Sequence, residues 1–415
     1  MKSTLKFLTY LSAIGVTLLF IRPKDNAVRT LIWFPKMISA ALTPVIGLTA
    51  ALGALLGLVK GDGKLTSAGL LGAGLAAKFV AEIPNAREQF AQEFDANWKE
   101  PYPSRRIEPV DFQPNLIIAE KPWSGKPFYT DLWQPPAGTL RSGLGIINSH
   151  GGGWRVGDKD MLTRQFFRRL AEGGHVVLDI AYSLYPEADL PTMVKEINLA
   201  VIWMKENCQH YQINPERIVL MGGSAGAHLS LLAGYAPDQP EFQPTETKQD
   251  TNVRGIVAYY PVVDLRSLNL QHNRQDLKSP NVLDKAADAM LNFIFDLHPE
   301  TADQDKNEGK EMDRSLIQML GGTQDQIPEI YDLLSPIKHI NKKCPATLLL
   351  QGSDDVFDLA RPVRKLYLAL QETGVPSIYV EYPHAEHGFD LIFPQISPLA
   401  KAATREVERF LTMMA

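Results

Sequence analysis

Cysteine is scarce in this sequence: only Cys208 and Cys344 occur in 415 residues, far apart, in segments that read as a helix and as the approach to a strand. So sparse a set excludes a disulfide framework and a cysteine-based zinc site, and leaves two free thiols that behave as small hydrophobes. An excess of charge of either sign is missing as well. Lys and Arg number 42 against 47 Asp and Glu, a net charge of −5, which gives no electrostatic ground for a nucleic-acid partner. Disorder is excluded by a composition of 45% hydrophobic and 21% charged residues, enough for a large buried core. The length exceeds that of one ordinary compact domain, so a core domain with an appended region is expected.

The appended region is amino-terminal. Residues 7–21 carry no charge and follow Lys2 and Lys6, the pattern of a signal peptide or signal anchor, yet no small-residue cleavage site comes after them. A second apolar stretch, 37–59, is near the roughly 20 residues needed to cross a bilayer and is the better spanning candidate. A third, 65–77, is shorter and suits a short or interfacial helix. Gly53, Gly57 and Gly61 recur every fourth position, a spacing that lets another helix approach closely. Arg22, Lys24, Arg29 and Lys36 favour a cytoplasmic loop after the first stretch, whereas Lys2 and Lys6 favour a cytoplasmic amino terminus, so charge bias selects no side. Residues 1–82 thus read as a membrane-anchor region of two or three apolar helices, with membrane lipid as partner and a membrane-anchored location. Residues 83–104 are polar, with Phe90, Phe94 and Trp98 every four positions, an amphipathic connector ended by Pro101 and Pro103.

From about residue 105 to 415, runs rich in β-branched and aromatic residues predict strands at 115–119, 128–133, 144–148, 176–181, 218–221, 255–260, 347–350 and 378–382. Helical patterns alternate with them. Val194, Ile197, Val201 and Met204 have the spacing of a buried helix face, and Val363, Leu366 and Leu370 precede Gly374 as a helix precedes its terminating glycine. Apolar strands alternating with helices predict an α/β fold: a mostly parallel sheet covered on both faces, with its chemistry at the carboxyl ends of the strands.

Chemistry-bearing motifs fall at those ends. The strand 217–221 runs into Gly222-Gly223-Ser224-Ala225-Gly226, a G-x-S-x-G turn that exposes a serine hydroxyl between strand and helix. Upstream, His150-Gly151-Gly152-Gly153-Trp154 follows another strand. Its glycines let backbone N–H groups converge, so those of Gly151 and Gly152, with that of Ala225, are candidates for an oxyanion hole. A serine hydroxyl needs a base, and the base needs an acceptor. Of nine histidines, His387 follows the last predicted strand and is preferred over His384, while His228, one turn beyond Ser224, suits helix packing. Asp355 or Asp354, after the strand 347–350, is positioned to orient it, with Asp358 a third option.

Together these motifs resemble the hormone-sensitive-lipase-like and carboxylesterase branch of the α/β-hydrolases. The family's oxyanion motif is similar to residues 150–154, its nucleophile segment to 223–229 and its His-Gly-Phe to 387–389. In relatives the acid stands three residues after the glycine ending its strand, which from Gly352 implies Asp355. The resemblance implies an α/β-hydrolase fold. An insertion at about 265–330 is longer than a simple sheet connection, 286–295 has apolar residues at helical spacing and Asp303, Asp305, Glu308, Glu311 and Asp313 form an acidic, solvated stretch, so it reads as a cap lining the acyl or alcohol pocket. The resemblance also implies a serine carboxylic-ester hydrolase acting through an acyl-enzyme, on a small or lipophilic ester, with no metal or organic cofactor. A serine amidase or peptidase, or a non-catalytic ligand-binding homologue, are the alternatives.

Overall fold

The computed structural model describes residues 2–94, 109–245, 250–268, 282–295 and 311–415. Its amino-terminal part is helical: α1 (Lys2–Leu19), α2 (Asn26–Ala41), α3 (Thr43–Lys60), α4 (Gly63–Ala81) and α5 (Arg87–Glu93). Strands then begin, with β1 (Asp111–Glu120), β2 (Pro127–Gln134), β3 (Gly145–Ser149), α6 (Arg164–Glu172), β4 (Val176–Ile180), α7 (Leu190–Glu206), α8 (Cys208–Tyr211) and β5 (Ile218–Gly223). The remainder is α9 (Ala225–Tyr235), β6 (Gly255–Tyr259), α10 (Val282–Phe295), α11 (Glu311–Leu320), α12 (Pro328–Leu333), β7 (Ala346–Gly352), α13 (Ala360–Thr373), β8 (Ser377–Tyr382) and α14 (Pro398–Met414).

The eight strands form one sheet in the order β1-β2-β4-β3-β5-β6-β7-β8, antiparallel at β1, β2 and β4 and parallel from β4 to β8. Strands β3, β4 and β6 are buried along their whole length. Helices cover both faces, so those strands have no wet side and read as continuous apolar runs. One face packs under α7, α9 and α13. The other packs under α6 and α14, joined by Val16, Leu19, Phe79 and Phe90 of the amino-terminal helices. Val194, Ile197, Val201 and Met204 form part of the buried stripe of α7, and α13 ends at Gly374 in the left-handed conformation that glycine adopts without penalty. Parallel pairing sets Ser149 beside Gly222, and Gly352 beside Tyr382, so the segments that follow these residues emerge side by side.

The amino-terminal region differs from its apolar runs. The stretch 37–59 is not one helix: it breaks at Leu42 between α2 and α3, because Pro44 lacks an N–H and fits the first turn of a new helix better than the interior of an old one. The third stretch is longer than read, as α4, so residues 1–82 hold four helices rather than two or three. Gly53 abuts Thr9 of α1 and Gly57 abuts Thr66 of α4, where a side chain would collide, whereas Gly61 is the left-handed C-cap of α3. Among the described residues one helix, α3, is long and apolar enough to cross a membrane, with mean hydropathy 1.6.

Of the connector, α5 holds Phe90 buried and stops before Phe94; Trp98 lies outside the described residues. So do Asp303, Asp305 and Glu308 of the acidic stretch. In the described part of the insertion, Leu316 and Met319 of α11 join the core, and α10 packs against α2. Cys208 is half-buried and Cys344 buried, both free.

Beside the first strands, Glu196 of α7 is fully buried and receives Lys121 Nζ at 3.2 Å, Ser183 Oγ at 2.7 Å and Trp123 Nε1 at 3.2 Å. A buried carboxylate in this setting is tolerated only while its partners stay, and Glu196→Ala would strand the Lys121 ammonium without a counter-charge. Urea unfolding of this variant should show a loss of about 3–5 kcal/mol.

Candidate active site

Strand β5 runs into a turn whose apex, Ser224, has φ 54° and ψ −118°. Few non-glycine residues tolerate this conformation. It is held by the Ser224 N–H, which donates to the Tyr259 carbonyl at 2.9 Å, and by two close approaches. A side chain at Gly222 would meet the backbone of Gly226, and one at Gly226 would meet the carbonyls of Ser149 and His150. The hydroxyl is thereby lifted above the carboxyl edge of the sheet, at the start of α9.

His387 lies in the loop after β8. Its Nε2 is 2.8 Å from Ser224 Oγ and its Nδ1 is 2.9 Å from Asp355 Oδ2. Asp355 is buried in the loop after β7, where Gln351 Nε2 donates to Oδ2 at 2.8 Å and the Phe357 N–H donates to Oδ1 at 2.9 Å. These two donors and the imidazole fix the carboxylate in one orientation. The competing residues are engaged elsewhere: Asp354 pairs with Lys36 and Arg22, Asp358 with Arg29, and His384 with Glu82. His228 is buried between the Trp154 indole N–H and the Leu334 carbonyl, and burial pushes its pKa down to about 4, as befits a neutral packing histidine.

The 150–154 loop rests against the serine turn, with Gly151 beside Gly223 and Ser224 and with Gly152 at φ 122° close to the Val156 carbonyl. The His150 ring stacks on Tyr182, whose hydroxyl donates to the His150 carbonyl at 2.9 Å. Above Ser224 opens a cavity of about 270 Å³, lined by Gly151, Gly152, Ser224 and His387 at its floor and by Trp33, Phe34, Met37, Leu162 and Phe166 at its walls. Among the described residues none of the 265–330 insertion lines it. The wall expected from the insertion is supplied by α2 instead, and α10 packs against that helix. Asp390 also lines the cavity; Tyr260 Oη donates to it at 2.8 Å, and burial pushes its carboxyl up to about 6. Among the described residues no cluster of His, Cys, Asp and Glu has the makings of a metal site.

Sequence reasoning missed Trp33, Phe34 and Met37. A signal existed: Arg29, Trp33, Lys36 and Met37 share one helical face, and a tryptophan flanked by cations on an apolar helix is as well suited to an enzyme surface as to lipid.

A family model, BD-FAE, matches residues 130–361, more than half of the chain and including the strands that carry the serine turn. The chain belongs to the BD-FAE family. This BD-FAE member is 26% identical over 271 residues to the esterase LipQ of Mycobacterium tuberculosis, covering 64% of this chain and 55% of LipQ. To the esterase LipC of the same organism it is 25% identical over 264 residues, covering 63% and 57%. The chain therefore spans little more than half the length of these curated relatives. Among solved structures, an esterase of Thermogutta terrifontis with propionate bound superposes with a TM-score of 0.52 at 18% identity, over 74% of this chain and 95% of that one. Esterase B of Lactobacillus rhamnosis gives 0.50 at 21% identity, over 81% and 94%. The fold of this BD-FAE member is that of the α/β-hydrolases, and the resemblance to the hormone-sensitive-lipase-like branch is borne out.

Proposed function

We propose that this chain is a membrane-anchored serine carboxylic-ester hydrolase. The observation that carries the proposal is the imidazole of His387, within hydrogen-bond distance of Ser224 and Asp355 at once, under an apolar cavity. Ser224 Oγ attacks the ester carbonyl as His387 Nε2 takes its proton, and Asp355 stabilises the imidazolium. The oxyanion is met by the N–H groups of Gly151, Gly152 and Ala225, each such donor lowering the barrier by about 3 kcal/mol. His387 then returns the proton to the leaving alcohol, and water hydrolyses the acyl-enzyme by the same steps in reverse. Neither a metal nor an organic cofactor takes part. An aromatic and aliphatic wall favours a lipophilic acyl or alcohol group. The names of the relatives, esterases among them, agree with this chemistry.

Residues 1–82 form the anchor region, of which α1, α3 and α4 face lipid while α2 lies on the enzyme, 83–104 the connector and 105–415 the hydrolase domain. Large apolar side chains stand exposed on α1 (Phe7, Ile14), α3 (Leu48, Leu55) and α4 (Leu70, Leu71), a surface that membrane lipid would cover.

Full-length protein in detergent micelles tests the proposal, with p-nitrophenyl esters from acetyl to dodecanoyl, the matching p-nitroanilides and a fluorophosphonate probe. Ester cleavage favouring medium or long acyl chains is expected, together with a covalent label on the 222–226 peptide. Labelling elsewhere, or anilides cleaved faster than esters, would replace the assignment by another nucleophile or by an amidase.

A further inference from the structure

We propose that Lys36 of α2 is a positioning residue for the hydrolytic site, tying the loop that carries Asp355 to the loop that carries His387. The proposal deepens the ester-hydrolase reading and rests on it. Lys36 is a buried cation on a helix that composition alone would give to lipid. Its ammonium lies 2.9 Å from Asp354 Oδ2, 2.8 Å from Glu386 Oε1 and 3.3 Å from the Ile21 carbonyl, so all three of its donors are committed. Asp354 and Glu386 are the residues immediately before Asp355 and His387. Each anchor is therefore one peptide unit from a member of the proposed triad, and the two anchors meet on one nitrogen.

The rest of the same helix face repeats this arrangement. Arg29 Nη2 donates to the Asp355 carbonyl at 2.8 Å, and Trp33 Nε1 donates to the His387 carbonyl at 2.9 Å. The Trp33 ring also meets the rings of Phe357 and His387 edge-on. Positions 29, 33 and 36 are successive turns of one helical stripe, and every one of them touches the acid loop, the base loop or both. Met37, next on that stripe, reaches the cavity. A helix that only moored the enzyme to a bilayer would have no need of these contacts. Because loops after parallel strands carry few constraints of their own, a rigid brace from outside the sheet is what holds two of them at hydrogen-bond distance.

Charge sets a second consequence. The titratable and charged groups around His387 are Asp354 and Asp355 from the β7 loop, Glu386 and Asp390 on its own loop, Tyr260 after β6, and Arg22, Arg29 and Lys36 from the amino-terminal segment. Without the Lys36 ammonium, Asp354 loses a buried counter-charge and its field stabilises the imidazolium of His387, while Glu386, whose carboxyl burial already pushes up to about 7, goes more readily to its neutral form and adds little to that field. The acid limb of the kcat/KM profile then moves to higher pH.

The test is Lys36→Met in the full-length protein, with Lys36→Arg and the double variant Lys36→Met/Glu386→Gln, which removes one buried charge of each sign. Expected for Lys36→Met are a fall in kcat of about 10²-fold, a KM near that of wild type and the upward shift of the acid limb. Lys36→Arg should recover most of kcat. The double variant should unfold at or above the temperature of the single one and still have low kcat, separating positioning from stability. A folded Lys36→Met with wild-type kcat and acid limb overturns the positioning role while leaving the esterase assignment standing. So does a double variant with restored kcat. Should neither methionine variant fold, Lys36 is a structural staple and the proposal fails. A wild-type chain that cleaves no ester and takes no fluorophosphonate sinks both ideas.

Discussion

Replacing Ser224 by glycine is expected to abolish ester hydrolysis and to stabilise the protein in the same stroke. Loss of the nucleophile in a serine hydrolase lowers kcat on the order of 10⁶-fold. The backbone at this position, φ 54° and ψ −118°, costs a residue with a Cβ about 1–3 kcal/mol, against about 0.5–1 kcal/mol for the extra freedom that glycine has when unfolded. Relief of strain outweighs that entropy, so thermal unfolding of Ser224→Gly should move up, while Ser224→Ala, which keeps the Cβ, should be equally inactive without that gain. Both variants should lose the fluorophosphonate label. Substantial hydrolysis by either variant would remove Ser224 from the mechanism.

Asp355→Asn is expected to lower kcat by about 10⁴-fold with the fold intact. Asparagine is isosteric, and the Phe357 N–H, which donates to Oδ1 of Asp355, would hold the carboxamide oxygen on its own side and so turn the NH₂ to the Oδ2 place that faces Nδ1 of His387. The proton of the imidazole is then driven to Nε2, the nitrogen that must accept from Ser224, and the negative charge that stabilises the imidazolium is lost as well. Asp358→Asn is the control. Asp358 is largely exposed and pairs with Arg29, a surface contact of little energetic weight, so its kcat should stay close to wild type. Equal losses at 355 and 358 would shift the acid's role away from Asp355.

The serine turn and the glycine loop were legible in the sequence because their chemistry is local. Gly222, Ser224 and Gly226 must be neighbours for a strained turn to exist at all, and the glycines at 151 and 152 are needed where one backbone lies against another. The sheet was legible for a related reason: strands buried on both faces leave an uninterrupted apolar run, which β3, β4 and β6 do. Asp355 and His387 needed the order of the last two strands, since only parallel pairing of β7 with β8 makes their loops adjacent.

What escaped the sequence is long-range. Arg22, Arg29 and Lys36 read as a charge bias flanking apolar segments, whereas in the structure they pair with Asp354, Asp355 and Asp358 more than 300 residues away. No periodicity reports a partner at that separation. The break at Leu42 was hidden for a different reason: apolar residues continue through it, so hydropathy cannot separate α2, which lies on the enzyme, from α3, whose leucines face outward. The length of the insertion at 265–330 and the helical spacing of its apolar residues point to a cavity wall there, and in the described residues that place is taken by α2.

The Trp33 indole and the carbonyl it holds are 354 residues apart in sequence. At a synthesis rate of about 5–20 residues per second, the ribosome delivers the two roughly 20–70 s apart. For that interval α2 lacks the loop that carries His387. A growing chain thus carries Trp33 and Lys36 on a finished helix without the carbonyl and the carboxylate they hold until its final strands emerge.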